Sequence, residues 1–336
     1  MVKAMPLSKI VANSITDDTI TTDQIADTSV HGRRNLLING QFQCWQRGNS
    51  ITANNSNAYT ADRWHAGANG SEDVVYSRQF TNTSDGTPYM RVRRTGTASG
   101  RMYLTQMMET SVLDFCRGKT VTLSFQARKH ADFDATFVSR IATQTNQTPR
   151  DDNVVENNDV TRTLTTSFQT FTQSLTLTSS SNSANGFRVE FVAEDGANSS
   201  SNYYYEVRDV QLEIGSQASP IEHRSFGEEL VLCQRYCQVV GNSSYFAGNG
   251  VGSASISVGI PLATPMRAEP SVPNTGYAFH RSGNTNSGTN SVTNVTYATI
   301  GASNLQLRVN FGSGISDEVA YVLNAITADL RLEAEL

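Results

Sequence analysis

Residues Asn35-Leu-Leu-Ile-Asn-Gly-Gln-Phe-Gln-Cys-Trp-Gln-Arg-Gly48, followed after a short polar loop by Tyr59-Thr-Ala-Asp-Arg-Trp64, decide how this chain is read. Three consecutive apolar residues, Leu36, Leu37 and Ile38, predict a buried strand, and Asn39-Gly40 behind them is a dipeptide suited to positive φ. Phe42, Trp45 and Trp64 supply large apolar area, and both tryptophans of the chain lie in these thirty residues, so a core is expected to be anchored here.

The strand signals continue outward from that stretch. Val74 to Phe80, Tyr89 to Val92 and Met102 to Gln106 are short candidates, and Val121, Leu123 and Phe125 alternate with Thr122, Ser124 and Gln126. Leu164, Phe168, Phe171, Leu175 and Leu177 outline two more strands, while Phe187, Val189 and Phe191 oppose Arg188 and Glu190. In the last strand of this region Tyr203, Tyr205 and Val207 share one face, but the next apolar set is Val210, Leu212 and Ile214. One extra residue must be absorbed, which predicts a bulge at Arg208-Asp209. Ser- and Asn-rich runs at 143 to 153 and 178 to 185 predict loops. From Phe226 to Cys237 the apolar spacing turns helical, and beyond it Ile256 to Leu262, Leu305 to Phe311 and Ile326 to Leu336 alternate again.

Ahead of all this, Ile10, Ile15, Ile20, Ile25 and Val30 recur every five positions. Five fits neither the helical period nor the strand period, so one chain alone has no face on which to bury them. Either several copies wind about a common axis, as in fibrous trimers, or the segment is a flexible arm whose hydrophobics dock on a neighbour. In both cases it reads as an attachment device. The expected organisation is an extended arm over 1–34, a β-sandwich over 35–225, a linking helix over 226–238 and a smaller β-sandwich over 239–336.

Composition narrows the function. Only 17% of the 336 residues are charged, the net charge is −5, and the basic residues are scattered, which disfavours nucleic-acid binding. Arg91 and Arg93 would share a strand face, read here as a solvated face before an anion site. No segment approaches the apolar length that spans a bilayer, and the first residues show no apolar export signal, so neither membrane insertion nor export is expected. Cys44, Cys116, Cys233 and Cys237 lack a metal-ligand pattern and read as reduced, half-buried residues. No nucleophile, base and orienter set can be assembled locally, and the chain is expected not to be an enzyme; paired carboxylates that converge from distant strands stay open.

The opening stretch resembles the start of a module of bacteriophage tail-fibre and related virion proteins, in which Asn-Leu-(Leu/Ile)-x-Asn-Gly-x-Phe-x-x-Trp-Gln-Arg-Gly precedes Tyr-Thr-Ala-Asp-Arg-Trp. A second block, Asp209-Val-Gln-Leu-Glu-Ile-Gly215 through Glu222-His-Arg224, Glu228-Glu-Leu230 and Cys233-Gln-Arg-Tyr236, is similar to that family's closing segment. The module is also similar in outline to jelly-roll carbohydrate-binding modules. The resemblance implies an all-β chain with a jelly-roll sandwich, a virion protein assembled in the bacterial host cytoplasm, and, with the five-residue repeat, a homotrimer bound to other virion proteins through its arm.

Contact with a host-surface polysaccharide is the function expected, and a purely structural head or tail decoration the alternative. Tyr59, Tyr89, Tyr103 and Tyr204 are the aromatic candidates for saccharide contact, with Tyr204 expected outward because Tyr203 and Tyr205 claim the inward face. Likeness to sugar-binding jelly rolls points to Asp209 and the carbonyls near Asn39-Gly40 as a place for a structural calcium ion. Gln41 and Gln43 there lack the charge a hard cation wants. Asp62 and Arg63 are expected to pair or to cap a turn.

Overall fold

The computed structural model describes residues 33–54, 57–70, 73–81, 86–95, 100–149, 153–194, 202–240, 245–271, 277–281, 294–299, 304–311, 320–325 and 330–336. The repeat residues Ile10, Ile15, Ile20, Ile25 and Val30 lie outside them.

The described elements up to residue 214 are β1 (Ser50–Asn54), β2 (Asn57–Tyr59), β3 (His65–Gly70), β4 (Asp73–Phe80), β5 (Pro88–Arg94), β6 (Gly100–Met108), α1 (Thr110–Cys116), β7 (Thr120–Lys129), β8 (Thr136–Gln144), β9 (Val154–Arg162), β10 (Gln169–Thr176), β11 (Gly186–Glu194) and β12 (Tyr204–Ile214). They form two antiparallel sheets, β1-β4-β5-β12-β7-β10 and β2-β3-β6-β11-β8-β9. From β5 to β8, successive strands alternate between the two sheets, the jelly-roll form of a sandwich. Alternate residues of both sheets meet inside: Val92, Phe125, Leu123, Tyr205 and Val207 from the first, Leu104, Phe137, Ile141, Val189 and Phe191 from the second. Tyr76 crosses this interior, and its hydroxyl lies 2.6 and 2.7 Å from the Gly67 and Tyr103 carbonyl oxygens, with one proton to give between them.

The opening stretch anchors the core as its aromatics require, with Leu37, Phe42, Trp45 and Trp64 all in the main cluster. Residues 36–38 are not a strand, however. The Asn35 side chain accepts from the Leu37 and Leu212 backbone N–H groups, each at 3.0 Å, and donates to Val210 O at 2.9 Å. A side chain therefore holds this segment where a ladder was expected. Asn39 has φ +59°, as its pairing with Gly40 predicted.

The bulge in β12 is present: pairing with β7 shifts between Arg208 and Gln211, and Asp209 has φ +51°. Between Leu164 and Leu177 there is one strand rather than two, because Leu164 and Phe168 lie in the connection that precedes β10.

The linking helix α2 (Phe226–Gln234) ends three residues sooner than its spacing implied. Ser225 and Glu228 close it with a reciprocal capping box. Cys237 already belongs to the next strand, and Phe226 is exposed rather than packed.

Beyond it come β13 (Cys237–Val240), β14 (Tyr245–Val251), β15 (Ser255–Pro261), β16 (Tyr277–Arg281), β17 (Asn294–Thr299), β18 (Asn304–Asn310), β19 (Ala320–Ala325) and β20 (Leu330–Glu333). Six of them form one antiparallel sheet, β16-β19-β14-β15-β18-β17, and β13 pairs with β20 as a separate ribbon. Leu330 and Leu332 of the ribbon pack on Ile256, Val258, Leu305 and Leu307 of the sheet, giving this half its own core. None of the described helices is long and apolar enough to cross a membrane.

Candidate functional site

The two motif blocks meet in space, and what they build is a joint. Asn39 takes a hydrogen bond on its side chain from Cys44 N at 3.0 Å and donates to Cys44 O at 2.8 Å and Asp62 O at 3.0 Å. Its backbone N–H donates to Glu229 of α2. Arg224 donates to the Asn35 and Leu37 carbonyls, so the closing block clamps the opening one.

Arg47, whose side chain is 2% exposed, reaches three carboxylates: Asp62 at 3.4 Å, Glu333 at 2.9 Å and Glu335 at 3.0 Å. Arg63 pairs with Glu335, donates to Met107 O at 2.5 Å and lies 3.7 Å over the Tyr236 ring. Asp62 and Arg63 thus do not pair with each other; each serves a different partner across the joint.

The charges here follow from burial and company. Burial works to lower the Arg47 guanidinium, but Cys237, Glu335, Glu333 and Asp62 around it hold it above its ordinary value. Burial pushes the Asp62 carboxyl up, against the opposing pull of Arg47 and Gln46. Both Asp62 oxygens accept, Oδ1 from Gln46 N and Arg47 and Oδ2 from Gln46 Nε2, so the carboxyl is met by donors on both sides.

At the edge of the joint, burial works to raise the Glu109 carboxyl, while hydrogen bonds from Tyr236 (2.6 Å) and Arg235 (3.0 Å) bring it below its ordinary 4.5. A carboxylate with a depressed folded value adds stability that is full above the unfolded value and is lost as pH falls through the folded one. In urea titrations across pH, the gap between the parent and Glu109→Gln is expected to be constant near neutrality and to close below pH 4.5.

All four cysteines are buried, more deeply than expected. Burial and a hydrogen bond with Cys44 push the Cys233 thiol well up, and burial pushes Cys237 up to about 12 and Cys116 to about 11, so these three stay protonated at neutral pH. Cys44, Cys233 and Asp62 bring their sulfur and oxygen atoms within 4.8 Å of one another, a proximity no spacing in the chain announced. Asp62 is already bonded to Gln46 N and Nε2 at 3.2 and 2.9 Å and to Arg47, so the trio reads as packing. Asp209 lies outside that trio; its Oδ1 accepts from Gln41 Nε2 at 3.1 Å.

The four tyrosines split between the two outward faces of the jelly roll. On the second sheet, Tyr59, His65, Thr105, Glu190, Arg140 and Asp159 stand in register, one from each strand across the whole sheet. Arg140 holds Asp159 through two hydrogen bonds at 2.8 and 2.6 Å and faces Glu190 at 3.6 Å, and Arg188 meets Glu190 at 3.1 Å. In the neighbouring row Tyr103 packs with Val138 and Val192. This face is largely closed: Thr105, Glu190, Arg188, Tyr103 and Val192 are all buried. Tyr59 is held too, its hydroxyl donating to Leu336 O at 2.7 Å and its ring lying 5.2 Å from the Arg47 guanidinium.

The outward face of the first sheet is accessible around Tyr204, while Tyr89, Glu206, Gln211 and Glu213 on the same face are buried. Tyr203 and Tyr205 are buried, and Tyr204 points out, as alternation requires. Ser77, Arg91, Glu206 and Arg128 form a row across β4, β5, β12 and β7, and Arg208 sits opposite Gln126 one step along. Glu206 is fully buried on the floor, taking Arg91 on Oε1 at 2.7 Å and Arg128 on Oε2. The guanidiniums lie over aromatic rings: Arg91 over Tyr204 at 4.2 Å, Arg128 and Arg208 over Phe168 at 4.4 and 4.1 Å. Tyr89 packs edge-on to Phe168 and shares its hydroxyl with Arg128 at 3.2 Å. Arg91, Arg128 and Arg208 keep 26%, 31% and 21% of their side-chain surface exposed. The sequence marked the two tyrosines as contact candidates, but Phe168 only as a strand residue and Arg208 only at the bulge; Arg91 and Glu206 are 115 positions apart, so only the fold joins them.

No protein-family model matches the chain. No curated protein sequence matches it either. Among solved structures, it is similar to the enzymatically active domain of tailspike protein 4 of bacteriophage CBA120, at 14% identity and TM-score 0.36, over 54% of this chain and 21% of that one. The chain thus spans about a fifth of the tailspike's length. It is also similar to a family 4 carbohydrate-binding module at 20% identity and TM-score 0.32, over 53% of this chain and 98% of that one. A third likeness is to the family 11 carbohydrate-binding module of Clostridium thermocellum, solved with a β-1,3-1,4-mixed-linked tetrasaccharide, at 13% identity and TM-score 0.30, covering 52% and 98%.

Proposed function

We propose that this chain is a component of a phage virion that contacts host-surface glycan through the outward face of its first sheet. The observation that supports this most is the half-exposed array of Tyr204, Phe168 and three guanidiniums beside the amides and hydroxyls of Gln126, Ser77 and Thr170. Planar groups ringed by hydrogen-bonding side chains are what a saccharide needs on a binding surface. The phage context rests on the two motif blocks.

In this reading the chain assembles in the bacterial host cytoplasm and works as a homotrimer joined to other virion proteins through residues 1–34. Weak contacts per site then add through avidity. The protein binds polysaccharide without cleaving it, and incubation with host polysaccharide releases no reducing ends.

A glycan array probed with the purified full chain tests the reading, with host-derived polysaccharides expected to give signal above a panel of unrelated sugars. A blank array, together with a single-copy sedimentation value, would leave only the alternative of a structural decoration or adaptor. One observation favours that alternative: the motif residues Asn39, Arg47, Asp62 and Arg63 are consumed in the joint and none reaches the accessible face.

A further inference from the structure

We propose that the outward face of the first sheet takes a carboxylate-bearing saccharide, a uronate unit of an acidic polysaccharide, on the guanidinium groups of Arg208, Arg128 and Arg91. The inference rests on the glycan-binding reading of this face and adds the chemical class of the sugar.

The grouping of arginines is the first support. Arg91, Arg93, Arg128 and Arg208 stand together on this face in a chain whose net charge is −5, with Glu206 and Asp209 among them and Asp73 and Glu213 also on the same strand faces. One of those carboxylates is out of reach for anything in solution, since Glu206 is fully buried and takes a guanidinium on each oxygen. Arg93, opposite Tyr204 in the ladder, has no carboxylate partner among the described residues.

Arg208 is the second support. It gives Nε and Nη2 to Gln126 Oε1 at 3.0 and 2.8 Å, a neutral acceptor, and its contact with Asp209 is long at 3.6 Å. An arginine positioned by an amide keeps its full charge for a ligand. A planar guanidinium fork matches a carboxylate with two parallel hydrogen bonds, which a neutral hydroxyl cannot use equally well.

The rings supply the third. Phe168 is covered by Arg128 and Arg208, and Tyr204 by Arg91, so these aromatic faces are occupied before any sugar arrives. The rings serve here to fix the cations in plane, and the face presents N–H arrays where bare stacking platforms were expected. Arg91 and Arg128 flank β12 from the two neighbouring strands, about 10 Å apart at their Cα atoms. Their guanidiniums turn toward each other onto the two oxygens of Glu206, and the flat rim of Ser77, Gln126 and Thr170 suits a saccharide's hydroxyls.

The test uses the purified full chain, titrated calorimetrically with oligogalacturonate and with the same oligomer after reduction of its carboxyl groups to alcohols. Binding of oligogalacturonate that weakens with added salt, and is at least about tenfold weaker for the reduced oligomer, is expected. Arg208→Gln, which strands no buried carboxylate, is expected to weaken binding about tenfold while leaving the melting temperature in place. Glu206→Gln removes the buried charge from the floor and is expected to shift affinity the other way. Equal binding of the reduced oligomer would overturn the uronate assignment and leave the glycan reading standing. So would unchanged binding by a folded Arg208→Gln, or equally tight binding of inorganic polyphosphate. No binding to either oligomer and a blank glycan array would remove both.

Discussion

Arg47→Met is expected to lower the stability of the chain by about 4 kcal/mol, read as a fall in the urea midpoint and in the melting temperature. The size follows from what the substitution leaves behind. Arg47 is 2% exposed and stands between Asp62, which is fully buried, and Glu335, which is nearly so, with Glu333 at the rim. Methionine fills most of the volume but neutralises nothing, so negative groups in a poorly solvated joint lose their common cation. A double substitution with Arg63→Met should exceed the sum of the two singles, since each single leaves Glu335 the other arginine and the double leaves it neither. If Arg47→Met melts with the parent, the joint contributes nothing to stability and the cluster is merely tolerated.

Gly40→Ala is expected to destabilise the sandwich by about 3 kcal/mol, measured in the same titration. A Cβ built on Gly40 would meet the Val210 carbonyl oxygen at 2.1 Å and the Asn35 amide nitrogen at 3.0 Å. Neither neighbour can yield freely. Val210 N–H donates to Gly40 O at 3.0 Å, Val210 O accepts from Asn35, and Val210 itself follows the β12 bulge. The methyl group therefore cannot be accommodated by turning one flexible side chain; the first turn and the last strand of the jelly roll must part. Gly48→Ala makes a useful comparison, because nothing lies within 4 Å of the added atom there and only its φ of +106° opposes it.

How far such effects were visible in the chain depends on how each strand spends its two faces. β4, β5, β7, β11 and β12 alternate apolar and polar residues, and the structure finds them where the alternation put them, including the slip at Arg208-Asp209. β8 escaped notice because its outward residues Val138 and Ala142 are buried as well as its inward Phe137 and Ile141, which erases the period-2 signal. β9 escaped for the opposite reason. It is an edge of the second sheet, pairs among the described residues with β8 alone, and carries Glu156, Asn157, Asn158 and Asp159, with little apolar area to bury.

The reading of 36–38 as a strand failed because Asn35 and Gln106 side chains satisfy that backbone, a long-range arrangement with no local pattern. Cys233 and Cys237 have helical spacing, yet the helix stops at Gln234 and the second cysteine sits in β13. The accessible face was half legible. Parity alone placed Tyr204 outward, whereas the stacking of Arg91, Arg128 and Arg208 on rings from other segments exists only once β5, β7 and β12 lie side by side.

The joint also imposes an order in time. Arg47 finds Glu333 only 286 positions downstream, and β13 finds β20, its partner strand among the described residues, at residues 330 to 333. On a ribosome the strands of both jelly-roll sheets are delivered by residue 214, long before either acidic partner has been translated. Until then Arg47 has only Asp62 of its three carboxylates, Arg63 has Met107 O without Glu335, and β13 has no ladder to join. The final few codons of this stretch are therefore the ones that latch the two lobes together.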